Sequence, residues 1–360
     1  MVRMFPTCRK EATPIPTPGE IRTALPATPQ DVLRVQHWRE TIVNILSKND
    51  PRRLVIIGPC AVQRADATLE YAERLCSLAK QMADQFFIVM RGYVEKSRSS
   101  TNWKGFLYSP HGIESLQQGL VETRSLFLKL IRAGVPVAME FLEPMAADYI
   151  SDLVSWGCIG ARTVQSPVHR ELASRLPMPV GMKNTTEGSM DVAVQAVAAA
   201  GMGQLSFGIT DDGRVCQVRT AGNPHAHLVL RGGLFGPNYR TPQIQKAADL
   251  LRHLELSDAI VVDCSHGNSQ RKWERQPEIF LEVLQSSLSC TQSPVRGLMV
   301  ESFLLDGTQE KLLKEAKTEQ DIRAAQYGAS PVDGCLGWDA TVELLTTAHE
   351  RCCQIKESFC

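Results

Sequence analysis

From residue 31 onward the chain repeats one unit, a short apolar and often β-branched run followed by a stretch of helical periodicity. The runs are LVIIG (54–58), FIVMR (87–91), PVAME (136–140), CIGAR (158–162), PVGMK (179–183), QLSFGI (204–209), IVVDCSH (260–266) and VRGLMVE (295–301). Helical patterns fill the gaps at 66–83, 114–133, 146–156, 190–200, 241–253 and 276–286. A helix at 30–46 leads in, and another at 339–356 closes the set. Nearly continuous apolar strands alternating with helices call for a parallel sheet covered on both faces. Eight of them close an α/β (β/α)8 TIM barrel. An open doubly wound sheet, the alternative, needs fewer strands and a glycine-rich first turn, and GPCAVQ (58–63) is no dinucleotide fingerprint.

Two segments depart from the repeat. Residues 1–34 carry Pro6, Pro14, Pro16, Pro18, Pro26 and Pro29 and read as an N-terminal arm ahead of a catalytic barrel at 35–356. The arm's GEIRTAL is suited to packing on a neighbouring subunit. After Ile209, TDDGRVCQVRTAGN contains Asp212-Gly213, a hairpin signal, so a β-hairpin at about 210–225 is expected as an insertion in the sixth unit, before HLVLRGG resumes.

In a parallel barrel the loops after the strands converge on one face, and reacting groups gather there. The groups closing the eight units are Cys60, Arg91, Glu140, Arg162, Lys183, Arg231, His266 and Glu301. Charged side chains are rarely buried unpaired, so a ring of them predicts a charged ligand. Arg91, Arg162, Lys183 and Arg231 would repel one another unless they share an anion carrying two or three charges. Cys60, His266 and Glu301, joined by Asp333 from SPVDGCLGWD, offer a thiolate, an imidazole and two carboxylates. That mix suits one divalent ion among Mn²⁺, Fe²⁺, Co²⁺ and Zn²⁺. Taken one at a time, each residue is as well explained by core packing, a salt bridge or a helix cap. A further basic stretch, VEKSRSSTNWKG (94–105), interleaves Lys96, Arg98 and Lys104 with hydroxyls, a pattern suited to oxyanions.

The anion sites must be local, because Lys+Arg and Asp+Glu both total 39. That balance argues against nucleic acid or an anionic membrane as partner. No apolar run reaches the roughly 18 residues of a membrane span, and no signal-peptide pattern opens the chain. The 11 cysteines follow no framework spacing, so free thiols in a reducing cytoplasm are expected, with adjacent Cys352 and Cys353 incidental.

Together VIIGPC, VMRGYVEKSRSSTNWKG, SWGCIGART, VHRELAS, PVGMKN, LRGG, DCSHGNS, GLMVES and CLGWD resemble the type I, aromatic-amino-acid-regulated class of 3-deoxy-D-arabino-heptulosonate 7-phosphate (DAHP) synthases, in order from about residue 35 to 350. The resemblance implies condensation of phosphoenolpyruvate with erythrose 4-phosphate at the start of the shikimate pathway. It places phosphoenolpyruvate on Arg91, Arg162, Lys183 and Arg231, with Glu140 and the backbone of Gly160 and Ala161 nearby. It places the metal on Cys60, His266, Glu301 and Asp333. The aldose phosphate falls on Lys96, at the carbonyl end, and on Arg98 and Ser99, at the phosphate. Lys96, His266, Cys60 and Glu140 are thereby the catalytic candidates, and a homodimer or homotetramer is implied. Where the family usually has Lys-Pro-Arg-Thr-Thr, this chain has Lys96-Ser97-Arg98-Ser99-Ser100. That loss of a rigid proline keeps open a related synthase acting on another aldose phosphate in a secondary pathway. A catalytically dead regulatory paralogue is the alternative of another class, and the complete ligand set speaks against it. The effector segments read EPMAADY, SRLPMP and TDDGRVCQ, with Pro177 where serine is common. These predict weak or no feedback by Phe, and Tyr or no effector instead.

Overall fold

The computed structural model describes residues 12–96, 103–112, 114–290, 292–311 and 325–359. Eight parallel strands close a barrel in the order β1 (Arg53–Gly58), β2 (Phe86–Arg91), β3 (Val137–Glu140), β4 (Trp156–Ile159), β5 (Val180–Lys183), β8 (His227–Leu230), β9 (Ile260–Asp263) and β10 (Val295–Glu301), the last pairing back onto the first. The barrel expectation holds. The helices α3 (Ala65–Gln81), α4 (Leu116–Arg132), the short α5 (Ala147–Ile150), α6 (Pro167–Arg175), α7 (Met190–Gly201), α8 (Thr241–His253) and α9 (Gln276–Leu288) and the last helix, Trp338–Phe359, surround it. Among the described residues no helix is long and apolar enough to cross a membrane.

Side chains alternate between the two faces of each strand. Val55, Ile57, Ile88, Met90, Val137 and Met139 join the core between sheet and helices. Leu54, Ile56, Val89, Ala138, Trp156, Val229, Val261 and Met299 form a second core inside the barrel. Ile42, Ile45 and Leu46, from the end of α2 (Pro29–Leu46), complete that inner cluster. The lead-in helix thus plugs the N-terminal mouth.

The hairpin expectation needs correcting. Leu205–Ile209 is not the sixth barrel strand but the first strand of the hairpin (β6). It pairs antiparallel with Val215–Arg219 (β7) across the turn at Asp212-Gly213. Gly213 supplies the positive φ of 81° that the turn requires. The physical reason lies in the alternation of Leu205, Phe207 and Ile209 with small or polar residues. A barrel strand is covered on both faces, whereas Phe207 here is 86% exposed. The sixth barrel strand is His227–Leu230, buried throughout. The fourth strand also ends earlier than CIGAR implies, leaving Arg162 in the loop beyond Ile159.

The described part of the N-terminal arm is folded onto its own chain. Thr17 caps α1 (Pro18–Ala24) and Thr28 caps α2, each in a capping box with an acid three residues on and a proline at the first position. Gly19 N–H donates to Asp211 O at 2.9 Å, Arg124 Nε donates to Leu25 O at 2.8 Å, and Ile21 is buried. The boundary drawn at residue 34 falls inside α2 and marks no structural break.

Packing inside the barrel is tight at Gly181, where a Cβ would lie 2.5 Å from Val229 Cγ2 and 2.6 Å from Trp156 Cζ2. Both neighbours are fully buried. Gly181→Ala is expected to destabilise the protein by about 1–3 kcal/mol through overpacking, which urea denaturation would measure.

Candidate functional site

The alternation that fills the barrel with apolar groups brings charge to its C-terminal end. Arg91, Lys183, Asp263 and Glu301 are each no more than 3% exposed. They are paired: Arg91 Nη2 lies 2.9 Å from Glu301 Oε1, and Lys183 Nζ lies 3.2 Å from Asp263 Oδ2. The remaining Arg91 donors reach Pro59 O (3.2 Å), Cys60 O (3.4 Å) and Met299 Sδ (3.1 Å), and its guanidinium stacks 4.0 Å from the Tyr93 ring centroid. Arg91 was expected to share an anion without equal acids nearby. Instead its partner Glu301 is a carboxylate of the same layer, because a fully buried guanidinium needs compensation.

Above this layer opens a cleft of about 550 Å³ including its solvent-open part, lined by Lys96, Arg162, Lys183, Arg231, Arg271, Glu140, Asp333, His266, Ala161 and Thr186. Five cations face two carboxylates there. Lys96 Nζ sits 3.1 Å from Asp333 Oδ2 and donates to Cys60 O at 3.3 Å. Burial opposes the Lys96 charge, but Cys60, Asp333 and Glu301 outweigh it and hold the ammonium protonated. Burial lowers the pKa of Arg231, as do Arg271 and Arg162, while Asp263 offsets part of this. Gly160 makes room for Glu140, whose Oε1 lies 2.2 Å from where a Cβ would stand.

His266, Glu301 and Asp333 bring one donor atom each to within 4.8 Å of one another. His266 has a positive φ of 55°, uncommon outside glycine, and Gln270 and Arg271 of the same loop share it. His266 Nδ1 meets Asp263 Oδ2 at 3.0 Å and Ser265 Oγ at 2.6 Å. A carboxylate can only accept, so a neutral ring carries its proton on Nδ1 and turns the Nε2 lone pair toward Glu301, 3.7 Å away. Cys60 lies beside this set rather than within it, its Sγ 2.9 Å from Ser330 Oγ. Burial raises the Cys60 pKa, while a hydrogen bond with Cys335 and the charge of Lys96 lower it, leaving the thiol at about 7. A poised thiol, an oriented imidazole and two carboxylates fit a divalent ion of borderline softness.

Arg98 and Ser99 lie outside the described residues. Several groups escaped the sequence reading. Asp263 is one, although a lone charge in the apolar run IVVD was a signal of a paired buried acid. Three asparagines are others. Asn184 Oδ1 accepts from Arg231 N (2.7 Å) and Asn238 Nδ2 (3.1 Å), while Asn268 Oδ1 accepts from Asn238 N (2.8 Å). Asn268 Nδ2 donates to Leu230 O and Asp263 O. The loops after β5, β8 and β9 are thus clamped together. Their signals were the dipeptides Lys-Asn, Pro-Asn and Gly-Asn in the segments that follow the strands.

The three segments named for an effector do meet, outside the barrel. The loop after β3, helix α6 and the hairpin enclose a pocket of about 700 Å³ including its open part, with Asp148, Glu171, Arg175, Ser206, Phe207 and Val215 among its lining. Ser206 Oγ is buried there without a hydrogen-bond partner. Pro177 is not in this lining; it borders a groove with α2.

The chain matches the model of the DAHP synthetase I family over residues 25–346. It is 38% identical over 336 residues to the Tyr-sensitive phospho-2-dehydro-3-deoxyheptonate aldolase of Escherichia coli (strain K12), covering 93% of this chain and 92% of that one. It is 40% identical over 331 residues to the Trp-sensitive enzyme of the same strain, covering 91% and 92%. The solved structure of phospho-2-dehydro-3-deoxyheptonate aldolase from Francisella tularensis SCHU S4 superposes with a TM-score of 0.89 at 33% identity, covering 95% of this chain and 98% of that one.

The loop after β2 is tied to the loop after β3 by Glu95, which accepts from Leu142 N (3.2 Å) and Glu143 N (3.1 Å). Burial pushes the Glu95 carboxyl up to about 8, against those two backbone donors. The folded state therefore holds this proton more tightly than the unfolded chain. Its contribution to stability is present at low pH and falls as pH rises from about 4.5 to about 8. Unfolding midpoints in urea at pH 5 and pH 8 are expected to drop less for Glu95→Gln than for the wild type.

Proposed function

The chain belongs to the DAHP synthetase I family, and from that premise we propose that it condenses phosphoenolpyruvate with erythrose 4-phosphate, yielding 3-deoxy-D-arabino-heptulosonate 7-phosphate and phosphate, the first step of the shikimate pathway. The observation that carries this reading is the cleft in which five cations gather beside His266 and Asp333 of the His–Glu–Asp donor set. Phosphoenolpyruvate, with a carboxylate and a phosphate, answers that cation excess.

In this reading Arg162, Lys183 and Arg231 hold phosphoenolpyruvate with the backbone of Gly160 and Ala161, and Arg91 supports the site from beneath. His266, Glu301 and Asp333, with the Cys60 thiolate, hold one divalent ion, Mn²⁺, Fe²⁺, Co²⁺ or Zn²⁺. When bound, the ion supplies Lewis acidity toward the aldehyde of the second substrate. The enol carbon forms the new C–C bond to that aldehyde carbon. Lys96, held protonated, donates to the aldehyde oxygen and can deliver the proton as negative charge develops. Water then adds to C2 and gives a proton to Glu140, and the C–O bond to phosphate breaks. Arg98 and Ser99 take the phosphate of the aldose. The cations also offset the repulsion between two anionic substrates.

The effector pocket supports regulation by an aromatic amino acid, Tyr rather than Phe. Glu171 can meet an ammonium and Arg175, already paired with Asp148, a carboxylate, while the unpartnered Ser206 hydroxyl suits a phenol. A homodimer or homotetramer acting in the cytoplasm completes the reading. The described cysteines are all free thiols, as a reducing compartment requires.

Phosphate release from phosphoenolpyruvate is expected with erythrose 4-phosphate and not with arabinose 5-phosphate, to vanish on chelation and to return with added divalent ion. His266→Ala is expected to lower kcat by at least about 100-fold, the scale for losing a key electrostatic group. Turnover that survives complete metal removal, or that prefers the five-carbon sugar, would sink the assignment. In the same assay Tyr should inhibit more strongly than Phe, with Ser206→Ala narrowing the difference. Stronger inhibition by Phe contradicts the effector reading.

A further inference from the structure

A second set of metal-ligating side chains lies at the opposite end of the barrel. Asp84 stands in the turn between α3 and β2, two residues ahead of the strand, so it belongs to the N-terminal face. His349 and Cys353 are four residues apart on the last helix and share one side of it. His349 Nε2 lies 2.8 Å from Asp84 Oδ1, and Cys353 Sγ lies 4.0 Å from both ring nitrogens. One donor atom from each of the three residues falls within 4.8 Å of the others. The neighbouring Gln85 supports two of them, its Nε2 donating to Asp84 Oδ2 at 2.8 Å and approaching Cys353 Sγ at 3.8 Å.

Two simpler explanations fit less well. An Asp–His ion pair alone does not account for a thiol and an amide converging on the same point. A thiol nucleophile activated by histidine needs one ring nitrogen toward the acid and the other toward sulfur, whereas this thiol is equidistant from both. Three donors of mixed N, O and S type around one point are the arrangement of a zinc-like site with a position left for water. The His349 side chain is 25% exposed and that of Asp84 56%, so solvent and ions reach the site.

We propose that Asp84, His349 and Cys353 form a second divalent-cation site, best suited to Zn²⁺, that clamps the last helix to the turn ahead of β2. On binding, the Cys353 thiol gives its proton to solvent, and the imidazole turns a deprotonated nitrogen to the ion. Gln85 keeps the carboxylate oriented, as outer partners of metal ligands do. The helix so clamped begins at Trp338, shortly after Asp333, so the ion would anchor the far end of the element that follows the catalytic loop. The inference goes beyond the proposed reaction and does not depend on it.

The test uses the full-length protein, stripped with chelator, loaded with zinc chloride, freed of excess metal by gel filtration and assayed for zinc per chain. His349→Ala and Cys353→Ser are each expected to hold one zinc fewer than the wild type. Both should retain wild-type phosphate release when assayed with the same added ion. Gln85→Ala is expected to weaken this site about 10-fold or more in competition with a chelator. Zinc should also slow alkylation of Cys353 by iodoacetamide, read by peptide mapping in the unsubstituted protein. Equal zinc content in the wild type and both variants, or alkylation of Cys353 unaffected by zinc, overturns the proposal.

Discussion

Two buried ion pairs, Arg91–Glu301 and Lys183–Asp263, form the layer on which the rest of the site stands. Taking either charge out of water alone would cost several kcal/mol. Each pair therefore requires both members, and each is held where strand alternation points inward at the C-terminal end of the barrel. The apolar layers below them, Val89, Trp156, Val229 and Met299 among others, keep that end dry. Tyr93 adds its ring face to both cations.

Because the lowest charges are neutralised internally, the cation excess moves up to the rim. Lys96, Arg162, Arg231 and Arg271 face the open cleft, and the wall between them is built from loops. Loops are ordinarily the most mobile part of such a fold. Here Asn184, Asn238 and Asn268 satisfy one another and the backbone around them, so the loops after β5, β8 and β9 are joined through hydrogen bonds. Asp263 belongs to both systems: it pairs with Lys183 and orients His266. His266 also carries a left-handed backbone, a strain the surrounding contacts must hold in place.

Much of this was legible beforehand. Strand number, the closing groups Cys60, Glu140, Lys183 and Glu301, and the position of Asp333 all follow from periodicity and from the rule that charge at strand ends has a purpose. The errors have physical causes. QLSFGI looked like a barrel strand because its apolar content was weighed before its alternation, and alternation marks a ribbon covered on one side. The pairing of Arg91 was not readable, because Glu301 is distant in sequence and adjacent only once the barrel closes. Where the arm lies on its own chain was not readable, because capping boxes at Thr17 and Thr28 reveal two helices but not the surface they cover. Asp84, His349 and Cys353 were unreadable as a group, since Asp84 is separated from the other two by most of the chain.

The sequence by itself determined the repeating strand–helix unit, the barrel, the kinds of charge at its active end and the resemblance to DAHP synthases. These rest on local periodicity and residue chemistry, which need no partner from elsewhere in the chain. Tertiary structure alone decided which cation met which carboxylate, which cations remained for the cleft, and that a thiol, an imidazole and an acid gather at the far face. Those outcomes depend on distances between segments far apart in sequence, and such distances exist only after β1 and β10 pair.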